Sequence, residues 1–300
     1  MEEKFEEIYD DICRGSIGRL KEVKKKNRSF LLMALGVLTL INIIIYIIVD
    51  YKVEVTLSIS ISAVILLILL VTGNNNYKKI YKQTVVEKIV KKYNEKLYYS
   101  TDGITRMDYK ISNFDSKFEL FESEDRIYGR LKTGDNLQIA EIRTFVVNKY
   151  QMDGQTKEEK VKTFEGMYGI VRLEKNLLSN INVKLDSITQ RNNKDRVEMD
   201  SSEFENYYDL ITKDKIMAMR IFTADLIEEL INIKKNTKIP VELKIDENMI
   251  YFRYKCGQVF EPPIFRSGLD KDLLRRYFKL IYYPIELLEK LCENINKIDD

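Results

Sequence analysis

No histidine occurs in the 300 residues. Its absence removes every imidazole general base, every catalytic triad built on one, phosphohistidine relays, and zinc sites that need an imidazole ligand. Cysteine is scarce and odd in number. Cys13, Cys256 and Cys292 stand far apart with no CxxC pair, which argues against a disulfide framework or a thiolate metal knuckle and leaves reduced, mostly buried thiols. The 12 glycines are scattered, and neither GxGxxG nor GxxxxGK followed by Ser or Thr is present, so a nucleotide-phosphate cradle has no support. With 45% hydrophobic and 32% charged residues the chain is neither disordered nor fibrous.

What is present is two long runs without charge. Residues 30–49 (FLLMALGVLTLINIIIYIIV) are uncharged throughout, and at about 1.5 Å rise per residue such a helix matches a hydrocarbon core of about 30 Å. Residues 55–73 (VTLSISISAVILLILLVTG) follow, with Thr56, Ser58, Ser60 and Ser62 in the first half and mostly Ile, Leu and Val in the second. A soluble core rarely needs two such runs in tandem, so residues 30–73 read as a transmembrane hairpin. Ser58 and Ser62 share a helix face and are placed to hydrogen-bond Asn42 of the first run. They read as packing contacts rather than a transport path, because no ionisable residue lies at that depth.

Flanking charge supplies an orientation. The stretch from Arg14 to Arg28 carries seven basic residues against Glu22, net +6. Residues 78–92 carry six lysines against Glu87, net +5, whereas the loop between the runs holds Asp50, Lys52 and Glu54, net −1. Lys and Arg are retained on the cytoplasmic side, so both termini and everything after residue 77 are expected inside. An apolar run that begins at residue 30 and is followed by a second span is not a cleaved signal peptide. The basic flanks act as topology determinants rather than as a specific site for anionic lipid.

Residues 1–29 place Phe5, Ile8 and Ile12 at helical spacing before Gly15 and Gly18, which predicts a short amphipathic helix that the glycines interrupt. From Tyr77 to Tyr99, Ile80, Val85, Ile89 and Val90 among lysines predict a helix leaving the membrane. The runs from Arg126 to Leu131, Leu137 to Val147, Lys162 to Leu173 and Asn182 to Ile188 are β-prone. Turn-rich stretches separate them at residues 132–136, 151–156 and 175–180, and an antiparallel meander is the economical arrangement. Asp200-Ser201-Ser202-Glu203 has the spacing of a helix cap with its reciprocal Glu, and Thr223 with Asp225 caps a second helix through Ile233. Residues 241–245 and 250–254 make a closing hairpin. Leu274, Tyr277, Ile281, Ile285, Leu288, Cys292 and Ile295 recur every three or four residues, a long C-terminal helix bent at Pro284. The fold class is α+β in three parts, residues 1–29, 30–73 and 74–300.

Several of these pieces, in this order, resemble a bacterial membrane-protein family known as domain of unknown function 3137. The likeness rests on the hairpin of spans, Glu124-Asp125 with Gly129, Ala140-Glu141, Phe164-Glu165-Gly166 and Asp200-Ser201-Ser202-Glu203-Phe204 with Tyr208. It continues through Ile221-Phe222-Thr223, Ile250-Tyr251-Phe252 and Phe260-Glu261. The resemblance implies a bacterial inner-membrane protein with a cytoplasmic domain and a LemA-like membrane protein as a partner. It implies no activity.

Among side chains that could carry chemistry, carboxylates are the one class with enough candidates. Glu124, Asp125 and Glu141 are placed to meet across adjacent strands, weak candidate ligands for Mg²⁺ or Ca²⁺, while Asp200 and Glu203 sit three apart. Helix capping accounts for the latter two, and a solvated turn before a strand accounts for Glu124-Asp125. Ser-Lys chemistry needs no histidine, but nothing selects a serine. No catalytic residue and no cofactor is assigned. Residues 1–29 as a whole are +1, so with the total of +2 the part from residue 93 to 300 carries −3, which excludes an electrostatic nucleic-acid binder. The reading is a two-span membrane anchor whose cytoplasmic α+β domain binds a protein partner at the inner membrane face. A carboxylate- and metal-dependent enzyme and an accessory subunit of a transport or envelope complex are the alternatives.

Overall fold

The computed structural model describes residues 2–48, 52–115, 117–152, 155–177, 179–190, 192–262 and 270–298. Its contacts divide the chain into two units, residues 1–88 with 261–274 and residues 89–260 with 275–300.

In the first unit α1 (Glu2–Ile48) is one helix of 47 residues, about 70 Å long at 1.5 Å per residue. α2 (Lys52–Tyr81) packs along it and ends in a π-helical turn, Lys82–Val86; α3 (Glu87–Tyr93) follows, most of it in the second unit. Residues 49–51, which include the end of the first apolar run and Asp50 of its loop, lie outside the described residues. The helices are long and apolar enough to cross a membrane over Gly18–Ile48 and Val55–Tyr93. Leu40, Ile47, Leu67 and Ile68 are more than half exposed. A hairpin forming the core of a water-soluble domain would bury such side chains; this one presents them outward.

Polar contacts hold the two helices together. Asn42 donates from Nδ2 to Ser62 Oγ at 2.9 Å and accepts from Ser58 Oγ at 2.6 Å, the contact expected from the serine spacing. Asn27 donates to the Gly73 carbonyl at 2.8 Å. Gly15 and Gly18 do not interrupt α1, contrary to the sequence expectation. A glycine costs about 1 kcal/mol in a helix interior, and α1 offsets this by burying Phe5, Ile8, Ile12, Ser16 and Leu20 along one stripe that runs past both glycines. Near the π turn, Lys82 is buried and its Nζ lies 2.7 Å from Glu261, which Lys78 also reaches at 2.5 Å.

The second unit is built on a nine-stranded sheet, antiparallel at every pairing. Its strands are β1 (Leu97–Asp102), β2 (Leu120–Arg130), β3 (Asn136–Met152), β4 (Gln155–Arg172), β5 (Asn180–Leu185), β6 (Arg196–Val197), β7 (Tyr208–Thr212), β8 (Val241–Asp246) and β9 (Met249–Tyr254). Their order is β1-β2-β3-β4-β9-β8-β5-β7-β6. The predicted meander therefore holds only from β2 to β4. The hairpin read as closing the fold inserts instead at the centre, β9 pairing with β4 from Met167↔Tyr254 and β8 with β5 from Asn180↔Asp246. Local alternation specifies a strand but not its neighbour, and this hairpin carries enough apolar surface to be buried on both sides.

β3 and β4 also run past the turn read at residues 151–156: pairing continues to Met152↔Gln155, with residues 153–154 outside the described set. Residues 155–163 are exposed on both faces, so no alternation marked this arm as strand. Gly129, at φ +143°, sits where a Cβ would lie 2.1 Å from the Lys96 carbonyl, so β1 approaches β2 over a bare backbone.

Helix α4 (Arg106–Ser112) carries Tyr109 into a cluster with Tyr168, Phe164, Ile142 and Tyr251 on one face of the sheet. Met167 and Val171, of opposite parity on β4, are buried too, so that strand is covered on both faces. The remaining helices are α5 (Ser202–Glu205), α6 (Lys215–Ile221), α7 (Ala224–Thr237) and α8 (Lys271–Asn296). α8 buries the predicted stripe from Leu274 to Ile295 and carries Pro284 within one uninterrupted helix. Its buried Glu289 accepts from Tyr93 Oη at 2.7 Å and from the Lys132 backbone N–H at 3.2 Å.

Candidate functional site

The first candidate is the carboxylate set on β2 and β3. Glu124 and Glu141 are register partners on the two strands. Glu124-Asp125 does not form the solvated turn that the sequence suggested: β2 already runs from Leu120, and the register slips between Glu124 and Ile127. Asp125 occupies that bulge with φ +57° and is 1% exposed. A bulge turns an extra side chain out of the alternation, which is why the sequence pattern could not place it. The Tyr99 hydroxyl donates to Asp125; burial and the Asp125 charge push that hydroxyl well above its ordinary value.

Glu141 is also buried, and its Oε1 accepts two backbone N–H groups, from Val259 at 2.7 Å and Phe260 at 2.9 Å. Glu124 accepts from Arg143 at 3.0 Å, and Arg143 also pairs with Glu122 at 3.0 Å. The cavity beside Glu124, Glu141 and Arg143 holds about 10 Å³, on the order of one water. What these carboxylates visibly do is fasten strand to strand and strand to the 259–260 segment.

Two of the three thiols sit in an unreactive setting. Cys256 and Cys292 are buried, and burial pushes the Cys256 thiol up to about 12 and the Cys292 thiol higher still. Both therefore stay protonated and poorly nucleophilic near neutral pH.

The second candidate surrounds the predicted caps. Ser201, not Asp200, caps α5, accepting from the Phe204 N–H at 3.2 Å. The helix starts one residue later than the spacing suggested, so Glu203 falls at its second position and reaches out to Lys235 of α7 at 2.8 Å. Thr223 stands at the N-cap of α7, but its hydroxyl accepts from Asn294 at 3.1 Å rather than from its own helix.

Between the 198–203 segment and α7 lies an open groove of about 660 Å³, within the usual size of a ligand or peptide-anchor pocket. Its apolar lining is Met199, Met219, Phe222, Ile227 and Ile231. Carboxylates stand on both walls, Glu198, Asp200 and Glu203 on the segment and Glu228 on α7. Arg196 holds the segment in place. Its Nε lies 2.8 Å from the fully buried Asp209, and its guanidinium also pairs with Glu205, which in turn accepts from the Met199 N–H at 2.9 Å. The capping pattern of Asp200, Glu203 and Thr223 is visible in the sequence, whereas the groove is not, because its lining comes from segments that only the tertiary fold brings together. One signal was available: Met219 and Phe222 sit three apart beside a helix start.

Residues 162–292, which include the whole groove, match the model of a family described as protein of unknown function (DUF3137). The resemblance read from the sequence is thus borne out over these residues. No curated protein and no solved structure matches the chain.

Proposed function

We propose that the chain is a bacterial plasma-membrane protein, held by its two-helix hairpin with both termini and the sheet domain cytoplasmic, and that the sheet domain acts by binding another protein at that face. The observation that carries the binding role is the open groove, apolar along its floor and walled by fixed elements, on a domain whose other conspicuous polar groups are engaged in holding the fold. The orientation rests on the +6 and +5 flanks around a loop of −1. A LemA-like membrane protein is the first partner to test.

Two measurements check this reading. A reporter enzyme that is active only outside the cytoplasm, fused after Asp300, is expected to be silent; strong activity would reverse the orientation. A photoreactive amino acid at Met219, which is 55% exposed, is expected to crosslink in native membranes to a defined membrane protein that the same probe at Ile188 does not capture. Identical products from both positions would count against a groove-borne binding role.

A carboxylate–metal reading draws on one observation, the facing pair Glu124 and Glu141. A rise in melting temperature with Mg²⁺ or Ca²⁺ that Glu124→Gln abolishes would favour it.

A further inference from the structure

The groove has a definite charge arrangement, and it narrows what can occupy it. Glu198, Asp200 and Glu203 line one wall and Glu228 the other, against a single lysine, Lys235, which Glu203 engages at 2.8 Å. The positive end of α7 opens beside the groove, and Asp225 in its first turn offsets it. Between the two acidic walls the floor is apolar, and Met219 and Ile216, three apart on α6 and 55% and 71% exposed, carry the apolar surface outward past the rim. Methionine suits such a floor, since its flexible thioether repacks against varied side chains. An occupant complementary to this surface presents an apolar stripe to the floor and positive charge on both flanks.

We propose that the groove receives an amphipathic helix of a partner protein, with Leu-, Ile- or Met-type anchors on its buried face and Lys or Arg on either side. A helix meets two opposed acidic walls with one apolar stripe because its i, i+3 and i+4 positions form the stripe and the positions beside them point to opposite flanks. An extended peptide sends alternate side chains to opposite faces, so a strand that seats its apolar side chains on the floor turns the others away from the groove and toward neither wall. The inference deepens the protein-binding reading and rests on it.

The test uses the full chain in nanodiscs of zwitterionic phosphatidylcholine, with empty nanodiscs as the blank. Two labelled synthetic helices of about 18 residues share one leucine stripe; one carries lysine on both flanks, the other glutamate. Fluorescence anisotropy is expected to show binding of the lysine helix that weakens as salt rises from about 0.05 to 0.5 M, and binding of the glutamate helix at least about tenfold weaker. Asp200→Asn with Glu228→Gln should weaken the lysine helix about three- to tenfold. Asp200→Lys with Glu228→Lys should reverse the preference, since both positions are exposed and the change converts attraction into repulsion. Unchanged melting of each variant shows that the fold is kept.

Equal binding of the two helices, or a charge-swapped variant that keeps the parent's preference, would overturn the proposal. So would failure of the lysine helix to bind at all. In each of these cases persistent crosslinking from Met219 in native membranes would leave the protein-binding reading standing with a partner of other chemistry, whereas loss of both results would remove it.

Discussion

At the scale of single residues, the fold spends its buried charges on fastening. Glu141 shows the energetics most directly, because one carboxylate oxygen receives two main-chain N–H groups from Val259 and Phe260 inside the domain. Charge-assisted bonds of this kind are about twice as strong as neutral ones, and leaving buried donors unanswered costs about 1–3 kcal/mol each. Glu141→Gln keeps an acceptor but loses the charge, and is expected to lower unfolding free energy by about 1 kcal/mol. Glu141→Ala strands both donors and should cost about 2–5 kcal/mol. Glu124→Gln, on a part-exposed side chain paired with Arg143, should stay within about 1 kcal/mol. Chemical denaturation of the three variants checks this ordering; a Glu124 variant as damaged as Glu141→Ala would mean that the pair on β2 and β3 acts as one buried unit.

At the scale of elements, the sequence revealed those whose hydrophobic period is long and one-sided. α8 was legible from Leu274 to Ile295 because seven apolar positions repeat on one face, and the apolar hairpin was legible because length alone matches a bilayer. The Asn42, Ser58 and Ser62 contact followed from helical spacing between two such elements. What stayed hidden has physical causes of a different kind. The arm of β3 and β4 over residues 148–151 and 155–163 is wet on both faces, so it has no alternation to read. The bulge at Asp125 breaks the period that would have placed that carboxylate. The place of the β8–β9 hairpin between β4 and β5 depends on pairing energies across 60 or more residues of sequence, which no local pattern encodes.

The ion pair that fastens residue 261 to the second apolar helix belongs to this scale as well. Burial alone would raise the Glu261 carboxyl, but hydrogen bonds and charge from Lys78 and Lys82 outweigh it and hold the group below its ordinary value. A carboxyl lowered on folding stabilises the folded state above its unfolded value, about 4.3, and that stabilisation is lost as pH falls through the lower folded value. Hydrogen exchange around the π turn, Lys82–Val86, is therefore expected to keep its protection near neutral pH and to lose it in acid below about pH 4. Glu261→Gln should show lower protection at neutral pH and a flatter response. Protection that rises on acidification would contradict the sign and with it the pairing.

At the scale of the whole molecule, the second unit carries a core of its own. Ile127, Ile139, Val171, Leu210, Leu243, Phe252, Leu288 and Ile295 are at most 1% exposed and all lie between residues 89 and 300. Residues 261–274 are the exception in that part of the chain. They belong to the unit of the apolar helices, where Lys271 pairs with Glu6 at 2.6 Å and Glu261 with Lys82 at 2.7 Å. A fragment of residues 78–300 therefore keeps the sheet and its helices, keeps Lys78 and Lys82, and loses Glu6 together with the α1 stripe. It is expected to stay in solution without detergent and to melt in one transition. At about 0.7 kcal/mol per residue near 60 °C, roughly 200 cooperatively packed residues correspond to a calorimetric enthalpy on the order of 140 kcal/mol. Calorimetry of the fragment decides the matter. An enthalpy near that value, equal to the van't Hoff value, means that the sheet domain folds as a unit without its apolar helices. A fragment that needs detergent, or whose enthalpy is a small part of that figure, would mean that α1 and the 261–274 segment complete the core and that the apolar helices and the sheet domain fold as one.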